Sequence, residues 1–431
     1  MNFSRINNIV GWIVCLIACT VYVMTMEPTG SLWDTGEFIS SAYKLQIPHP
    51  PGAPMFILLG RFFIVLFGDD PASAARGVNF MSAIASGFTI LFLFWTITHF
   101  ARKIMAKGQQ ALTSSQIIGV MAAGVVGALA YTFSDSFWYS AVEGEVYALS
   151  SFFTAIVFWA ILKWEHEVDR ESQTDGHKFS RADRWLVFIF YMMGLSIGVH
   201  LLNLLTVPAI IMVYYFKRYK VTKWGTFWAF LTGCVITGVI QVVIIQWSIK
   251  GAGAFDIFFV NEIGTPFFVG FVLYFILIGA LLVLGLRFKA EQIQKFKGFP
   301  IWLSLILLLF CFPMFTSVGS FILFLAILAV VIFVCNSYKS RVFSFLRIAI
   351  WSTIFIIIGY STYFTTLVRS NANPSVDMYN VDNPMSLVGY LSREQYGDWP
   401  ITYGPFFTEE ITNEDFVETG DLYVKGENKY E

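Results

Sequence analysis

The 431-residue chain has the composition of a membrane protein. Hydrophobic residues make up 56% of it, charged residues only 13%, and the mean hydropathy is +0.65. Soluble globular proteins carry about 25% charged residues, so that class is excluded. The net charge of −1 gives no basis for nucleic-acid binding. Five cysteines, at 15, 19, 234, 311 and 335, fall in apolar stretches without metal-ligand spacing and indicate packing thiols.

Apolar stretches predict an all-α polytopic protein with about eleven transmembrane helices. The first stretch has no small-residue cleavage site, which indicates a retained signal anchor. The predicted spans are 8–25, 72–101, 115–133, 146–164, 185–199, 201–216, 224–248, 266–286, 300–316, 319–336 and 347–367.

The distribution of positive charge predicts the orientation. Twenty of the 28 lysines and arginines fall in loops on the side of the N-terminus, which is therefore cytoplasmic, with the C-terminus extracytoplasmic (periplasmic). We expect a multi-pass protein of the plasma (bacterial inner) membrane. Residues 1–367 would form the transmembrane domain, and residues 368–431 a juxtamembrane tail that begins a truncated soluble region.

The first outer loop, residues 27–71, carries two acids, Asp34 and Glu37. If residues 34–46 are helical, the i, i+3 spacing puts both carboxylates on one face, near the depth of lipid headgroups. This arrangement indicates chemistry on a lipid-linked substrate. The alternative is an Asp N-cap with an acidic first turn that the helix dipole stabilises.

The rest of this loop predicts a turn and a second surface helix. Residues 49–54, HPPGAP, cannot continue a helix, because proline removes donors and restricts the residue before it. Residues 54–67 are apolar but too few to cross a bilayer, so we expect a short helix lying in the outer interface.

Polar residues recur at the break between the spans 185–199 and 201–216. His200 and Asn203 there would lie just below the outer surface, where irregular backbone must line protein or a wet cavity. This favours a functional role. The alternative is one long bent helix with His200 hydrogen-bonded in the core.

Further acids lie in the other outer loops. Glu143 and Glu145 are two residues apart, so one can face a cavity while the other faces water or caps a helix; the alternative is a solvated acidic loop. The loop 250–265 adds Asp256, Asn261 and Glu262 as a weaker signal. An acidic outer face can hold a divalent cation, although no ligand spacing identifies one.

Several motifs in the same order resemble a Bacteroidetes-rich membrane family, glycosyltransferase family 117 of the GT-C superfamily, which is related to a vertebrate O-mannosyltransferase. The motifs are WDTGEF at 33–38, HPPG at 49–52, EGEVY at 143–147, GVHLLN at 198–203, and NANP at 371–374 with YLSREQYGD at 390–398. Members of that family carry a further large extracytoplasmic region, which this sequence lacks.

The resemblance implies a GT-C-like bundle and an inverting enzyme. It would transfer a sugar from a polyprenyl-phosphate donor to a hydroxyl acceptor, a protein Ser or Thr, at the extracytoplasmic face. The family's signature acid corresponds to Asp34, with Glu37 close by, as catalytic groups; a partly buried carboxylate can be tuned as a base, and cationic groups can stabilise the leaving phosphate. The candidate substrate-binding residues are Trp33, Lys44, His49, Arg61, Arg76, Glu143, Glu145, Tyr147, His200, Asn203 and Arg393.

Other functions stay open at this point. Arg61 and Arg76 could simply extend to lipid phosphates at the interface. A transporter or flippase of lipid-linked sugar would also use polar residues inside spans, and in a non-catalytic membrane assembly subunit the carboxylates would be structural. The partners expected are a lipid-linked sugar donor, an acceptor protein or glycan, and membrane lipids. No cofactor follows with certainty from the sequence, and a divalent cation is the one candidate.

Overall fold

The computed structural model describes residues 2–106, 111–171, 181–295, 297–315, 317–397, 404 and 422–431. This part of the chain is helical, and its only β-pairing consists of isolated bridges from Ile47 to Asp377 and from Lys425 to Tyr430. The helices are α1 Phe3–Thr25, α2 Thr35–Lys44, α3 Pro54–Leu66, α4 Pro71–Ala106, α5 Ser114–Thr132, α6 Asp135–Val142, α7 Val146–Glu171, α8 Asp183–Ile197, α9 Val207–Arg218, α10 Lys223–Val239, α11 Ser248–Phe258, α12 Val269–Leu286, α13 Ala290–Gln294, α14 Phe299–Cys311, α15 Val318–Ser337, α16 Lys339–Tyr360, α17 Phe364–Ser370 and α18 Pro384–Ser392. Short 3₁₀ segments occupy Leu201–Thr206, Phe312–Met314, Ser361–Tyr363 and Glu394–Tyr396, and π segments occupy Ile240–Trp247 and Phe259–Ile263.

Among the described residues, nine helical runs are long and apolar enough to cross a membrane. They are Phe3–Thr25, Pro71–Ala106, Ser114–Thr132, Val146–Glu171, Leu201–Arg218, Lys223–Ile263, Val269–Leu286, Val318–Ser337 and Phe345–Ser370. The prediction of an all-α polytopic membrane protein is confirmed. The two other predicted spans also coincide with helices, but α8 has 15 residues and α14 has 13, fewer than a perpendicular crossing needs.

Residues 250–263 of the predicted outer loop 250–265 are helical, so the prediction of an irregular loop there is wrong, while its placement on the outer side stays a prediction. Helix continues without interruption through Lys223–Ile263, a run of 41 residues. Asp256, which lies in this run, is fully buried. Its carboxylate accepts hydrogen bonds from the backbone N–H groups of Phe268 and Phe271 and from the hydroxyl of Tyr430. The polar residues of this segment had indicated a loop. Because the carboxylate of Asp256 is fully hydrogen-bonded, the helix can continue through it.

The first loop forms the two short helices that the sequence predicts, α2 and α3. Both pack against α4, and α3 approaches it closely at Gly77, where a Cβ would lie 2.9 Å from the Cα of Ile64. Buried apolar side chains from α2, α3 and α4, including Phe38, Phe56 and Val78, form one hydrophobic cluster. The loop is thus a packed layer on the bundle, and it carries its polar residues at fixed positions.

The helix α8 ends in a break that separates it from α9. His200 is extended, with φ −163° and ψ 143°, and the 3₁₀ segment follows directly. The alternative of one long bent helix is therefore wrong. The break lies against the start of α3: the carbonyl of Gly198 accepts from the N–H of Met55 at 2.8 Å, and a Cβ on Gly198 would lie 2.5 Å from Oγ1 of Thr362.

The segment after α17 packs on the first loop. The Arg369 guanidinium donates to the carbonyls of Lys44 and Leu45, and so satisfies groups at the C-terminal end of α2. The hydroxyl of Tyr390, on α18, donates to the carbonyl of Pro48 at 2.6 Å. The division at residue 367 stays a prediction, and residues 398–403 and 405–421 of the tail lie outside the described part.

Candidate functional site

Asp34 occupies the N-cap position of α2, yet its side chain makes no capping hydrogen bond. The carboxylate is 57% exposed and free to turn toward a ligand. Trp33, immediately before it, has φ +60° and is 91% exposed, so its ring projects from the surface. The capping explanation for Asp34 therefore accounts for its position but not for its carboxylate.

Glu37 holds His49 through both carboxylate oxygens. Its Oε1 accepts from the backbone N–H of His49 at 2.7 Å, and its Oε2 lies 2.8 Å from Nδ1 of the ring. A carboxylate only accepts, so Nδ1 carries the proton and the neutral ring keeps the lone pair of Nε2. That Nε2 lies 4.0 Å from Oδ2 of Asp34. One ligand atom from each of the three side chains falls within 4.8 Å of the others.

The residues before α7 add two more carboxylates to this site. Glu145 is 5% exposed, and its Oε1 has no hydrogen-bond partner among the described residues. Burial and, next, the negative charge of Asp34 raise the pKa of Glu145 to about 7. Glu143 is half-buried and accepts from the hydroxyl of Ser31 at 2.6 Å. The two acids thus have different surroundings, one of them dry and next to Asp34.

A second group of side chains adjoins the acids through the first turn of α7. The rings of Tyr147 and His200 have centroids 5.6 Å apart, and Tyr147 is two residues after Glu145. Burial, followed by the positive charge of Arg393, lowers the pKa of His200. Its Nδ1 accepts from the N–H of Leu202 at 3.2 Å. These contacts bring His200 beside the segment that supplies Glu145, while a cavity shared with Asp34 stays a prediction.

Four other candidate residues contact neither Asp34, Glu37 nor His49 among the interactions of the described residues. Arg61 pairs with Asp69 at 2.6 Å and donates to the carbonyl of Tyr43 at 2.7 Å. The ammonium of Lys44 lies 4.3 Å from the centre of the Tyr43 ring. Arg76 is exposed, and no hydrogen bond or ion pair of it occurs in the described part of the chain. Asn203 is buried and accepts from Thr206.

The sequence did not identify Asn79, which anchors the site from α4. It is fully buried, and its Nδ2 donates to the carbonyls of Glu27 and Thr29 at 2.7 and 3.1 Å. Its Oδ1 would lie 3.1 Å from a Cβ on Gly144, so the acidic segment packs closely over it. An asparagine inside an apolar span is the signal that would have identified it.

Comparisons with known proteins show which proteins the chain is similar to. Residues 34–223 match the model of a family described as protein O-mannosyl-transferase TMEM260 N-terminal domain. Over 205 residues the chain is 25% identical to protein O-mannosyl-transferase tmem260 of Dictyostelium discoideum, and this matched segment covers 47% of the chain and 22% of that protein. Over 154 residues it is 29% identical to protein O-mannosyl-transferase TMEM260 of Mus musculus, and this segment covers 35% of the chain and 19% of that protein.

The matched segments span about a fifth of the length of these curated relatives. No solved structure matches the chain. The matched range 34–223 contains the Asp34, Glu37, His49, Glu145 and His200 positions described above. Through this range, the chain is related to the protein O-mannosyl-transferase TMEM260 of vertebrates.

Proposed function

We propose that the chain is an inverting membrane glycosyltransferase. It transfers a sugar from a polyprenyl-phosphate donor to a hydroxyl group of an acceptor, a protein Ser or Thr, at the extracytoplasmic face. The observation that carries the proposal is the grouping of four side chains beside apolar, membrane-length helices: Asp34 and Glu37 at the start of α2, His49 in the turn before α3, and the buried Glu145 just before α7. The names of the relatives support sugar transfer to a protein.

Asp34 is the proposed general base. In a single displacement, the acceptor oxygen attacks the anomeric carbon, the bond from that carbon to the phosphate oxygen breaks, and the acceptor proton passes to the Asp34 carboxylate. The lipid phosphate leaves with the electron pair. Asp34 suits this step because its carboxylate is exposed and makes no capping hydrogen bond. Glu145 is the alternative base, since it is buried beside Asp34 with an unpaired oxygen.

The leaving phosphate needs a cation or strong hydrogen-bond donors. His200 is a proposed donor, because its Nδ1 accepts from Leu202 and its Nε2 therefore carries the proton; His49 can donate through Nε2 only in its doubly protonated form. Arg393 lies close enough to His200 to lower its pKa. Arg61 is a weaker candidate, because Asp69 already occupies its guanidinium. Glu37 would hold His49 in position for this role.

The lipid chain of the donor has an apolar surface available near the same end of the protein. A groove of about 670 Å³ lies between α12 and α17 and is lined mainly by apolar side chains, among them Phe271 and Phe364. The last turn of α17 contains Arg369, which binds the end of α2. This groove supports a lipid-linked rather than a nucleotide-linked donor.

A transfer assay with purified protein tests the proposal. The protein in lipid nanodiscs is mixed with polyprenyl-phosphate mannose and an acceptor peptide containing Ser and Thr, and a full-length relative is assayed in parallel. We expect mannosyl peptide from the wild type, little from Asp34→Asn, and normal amounts from the control Asp135→Asn, whose carboxylate is exposed on α6. The wild type is also reconstituted into vesicles. If it moves the donor from one leaflet to the other without forming product, it is a flippase. A protein that neither transfers the sugar nor moves the donor would be a non-catalytic assembly subunit.

A further inference from the structure

The acids of the candidate site have little positive charge to balance them. Asp34, Glu37, Glu143 and Glu145 lie in two adjoining segments, and in the described part of the chain none of them pairs with a lysine or arginine. Their single ion-pair partner there is His49. Like charges this close repel one another, so an additional cation would be favoured.

His49 presents the kind of nitrogen that a metal ion binds. Because Nδ1 donates to Glu37, the lone pair on Nε2 is directed away from Glu37, and Oδ2 of Asp34 lies 4.0 Å from it. A carboxylate that orients a histidine through its other ring nitrogen is the usual partner of metal-bound imidazole. The backbone bond from His49 to Glu37 fixes the ring further.

A second and independent observation comes from Glu145. Its Oε1 is buried without a hydrogen-bond partner in the described residues, and its carboxylate is near enough to Asp34 to interact with that residue's charge and backbone N–H. An unpaired buried carboxylate oxygen is costly unless a cation or a donor compensates it. Water bound to a cation at Asp34 would supply that donor.

We propose that Asp34 and Nε2 of His49 bind a divalent cation, with Glu37 holding the histidine ring and Glu145 accepting from the water that the cation retains. One imidazole with one carboxylate and water fits Mn²⁺ or Zn²⁺ better than Ca²⁺, which prefers all-oxygen sites. Metal–ligand distances of about 2.0–2.2 Å require Asp34 Oδ2 to approach His49 by under about 1 Å. The exposed Asp34 side chain can make this movement by rotation.

Cation binding goes beyond the proposed transfer reaction and does not depend on it. Only the use of the cation, to neutralise a leaving phosphate oxygen at an open coordination position, rests on the proposed function. The second oxygen of the Asp34 carboxylate remains available as a base. Binding is therefore measured without donor or acceptor, so that the two proposals succeed or fail separately.

The experiment measures Mn²⁺ binding by electron paramagnetic resonance and Co²⁺ binding by visible absorption, on purified full chain stripped with EDTA. We expect one ion per chain in the wild type. Asp34→Asn and His49→Gln should abolish binding, Glu37→Gln should weaken it about 10–100-fold, and the control Asp135→Asn should bind as the wild type does. Circular dichroism and size-exclusion profiles confirm that each variant is folded.

Two results would overturn the site. One is a wild type that binds no ion, in which case protonated His49 alone balances the acids. The other is equal binding by the wild type, Asp34→Asn and Glu37→Gln, which would place the ion elsewhere. The graded response of Glu37→Gln keeps the test decisive even if His49→Gln does not fold. A nitrogen hyperfine signal on bound Mn²⁺ that is lost in His49→Gln would confirm ligation by imidazole.

Discussion

Glu37 and His49 are joined at two points, from Oε1 to the backbone N–H at 2.7 Å and from Oε2 to Nδ1 at 2.8 Å. The first bond fixes the start of the turn that links α2 to α3, and the second fixes the ring. Since Glu37 lies one turn along the helix from Asp34, this pair sets the distance from His49 to Asp34. It connects the helical spacing of the acids to the proline-rich turn, which the sequence presented as separate features.

Glu37→Gln should reduce sugar transfer, but less than a change at Asp34 does. A glutamine can still accept one hydrogen bond from His49 but not two, because its NH₂ group only donates. We expect a loss of about 10-fold, with KM for the donor affected as much as kcat, since the role is positioning. Steady-state kinetics against donor concentration provide the measurement. Unchanged KM and kcat in a folded variant would show that the pair is not needed for transfer.

Asp34→Asn should lower kcat by about 10²–10⁴-fold, as expected for loss of a general base. Asparagine keeps the size and the N-cap position, and the Asp34 side chain makes no capping bond that could be lost. The unfolding temperature should therefore stay close to that of the wild type. Single-turnover transfer and differential scanning fluorimetry check the two halves of this prediction. Full activity would reject Asp34 and make Glu145→Gln the next variant to assay.

Much of the helical framework could be predicted from the sequence, because apolar runs of membrane length leave few alternatives. The short helices of the first loop also followed from length and proline spacing. The continuation of helix through Lys250 and Asp256 could not be predicted, since it depends on Tyr430 and on backbone N–H groups that are distant in the chain. The same holds for the site: the i, i+3 acids were visible, but the burial of Glu145 depends on tertiary packing, in which the neighbouring Gly144 lies closely against Ile39 of α2 and Val78 of α4.

Tyr390→Phe should destabilise the protein by about 1–2 kcal/mol. Its hydroxyl, fully buried, donates to the carbonyl of Pro48, and phenylalanine would leave that carbonyl unpaired. Thermal unfolding of the purified variant gives the measurement. Tyr396→Phe is the matched control, because Tyr396 is exposed and should tolerate the change. Equal effects of the two substitutions would show that the bond to Pro48 contributes nothing to stability.

Cysteines introduced at Lys220 and Lys429 should react from opposite sides of the membrane. Lys220 is exposed between α9 and α10, in a lysine-rich segment that the charge rule places in the cytoplasm, and Lys429 is exposed in the tail. A membrane-impermeant maleimide should label Lys429→Cys in intact spheroplasts, and Lys220→Cys only after lysis, in a background without the five native cysteines. Labelling of both before lysis would refute the predicted topology.

His200 should make the protein less stable at acidic pH. Burial, and then the charge of Arg393, lower the pKa of His200 below its ordinary value of 6.5, while the unfolded chain keeps that value. As the pH falls below 6.5, the unfolded state therefore binds more protons than the folded state, and the free energy of unfolding decreases. Well above pH 6.5 both states are neutral at this residue, and its contribution is constant.

The variant His200→Gln tests this pH dependence, since glutamine stays neutral and its side-chain oxygen can still accept from Leu202. The ring of Tyr147 packs against His200, and Arg393 is the charged neighbour to consider between pH 5 and 7.5. We expect the unfolding temperature of the wild type to fall more steeply than that of the variant over this range. Every other titrating group is shared by the two proteins, so the difference between the curves isolates His200. Parallel curves would mean that the imidazole is protonated as easily in the folded protein as in the unfolded chain.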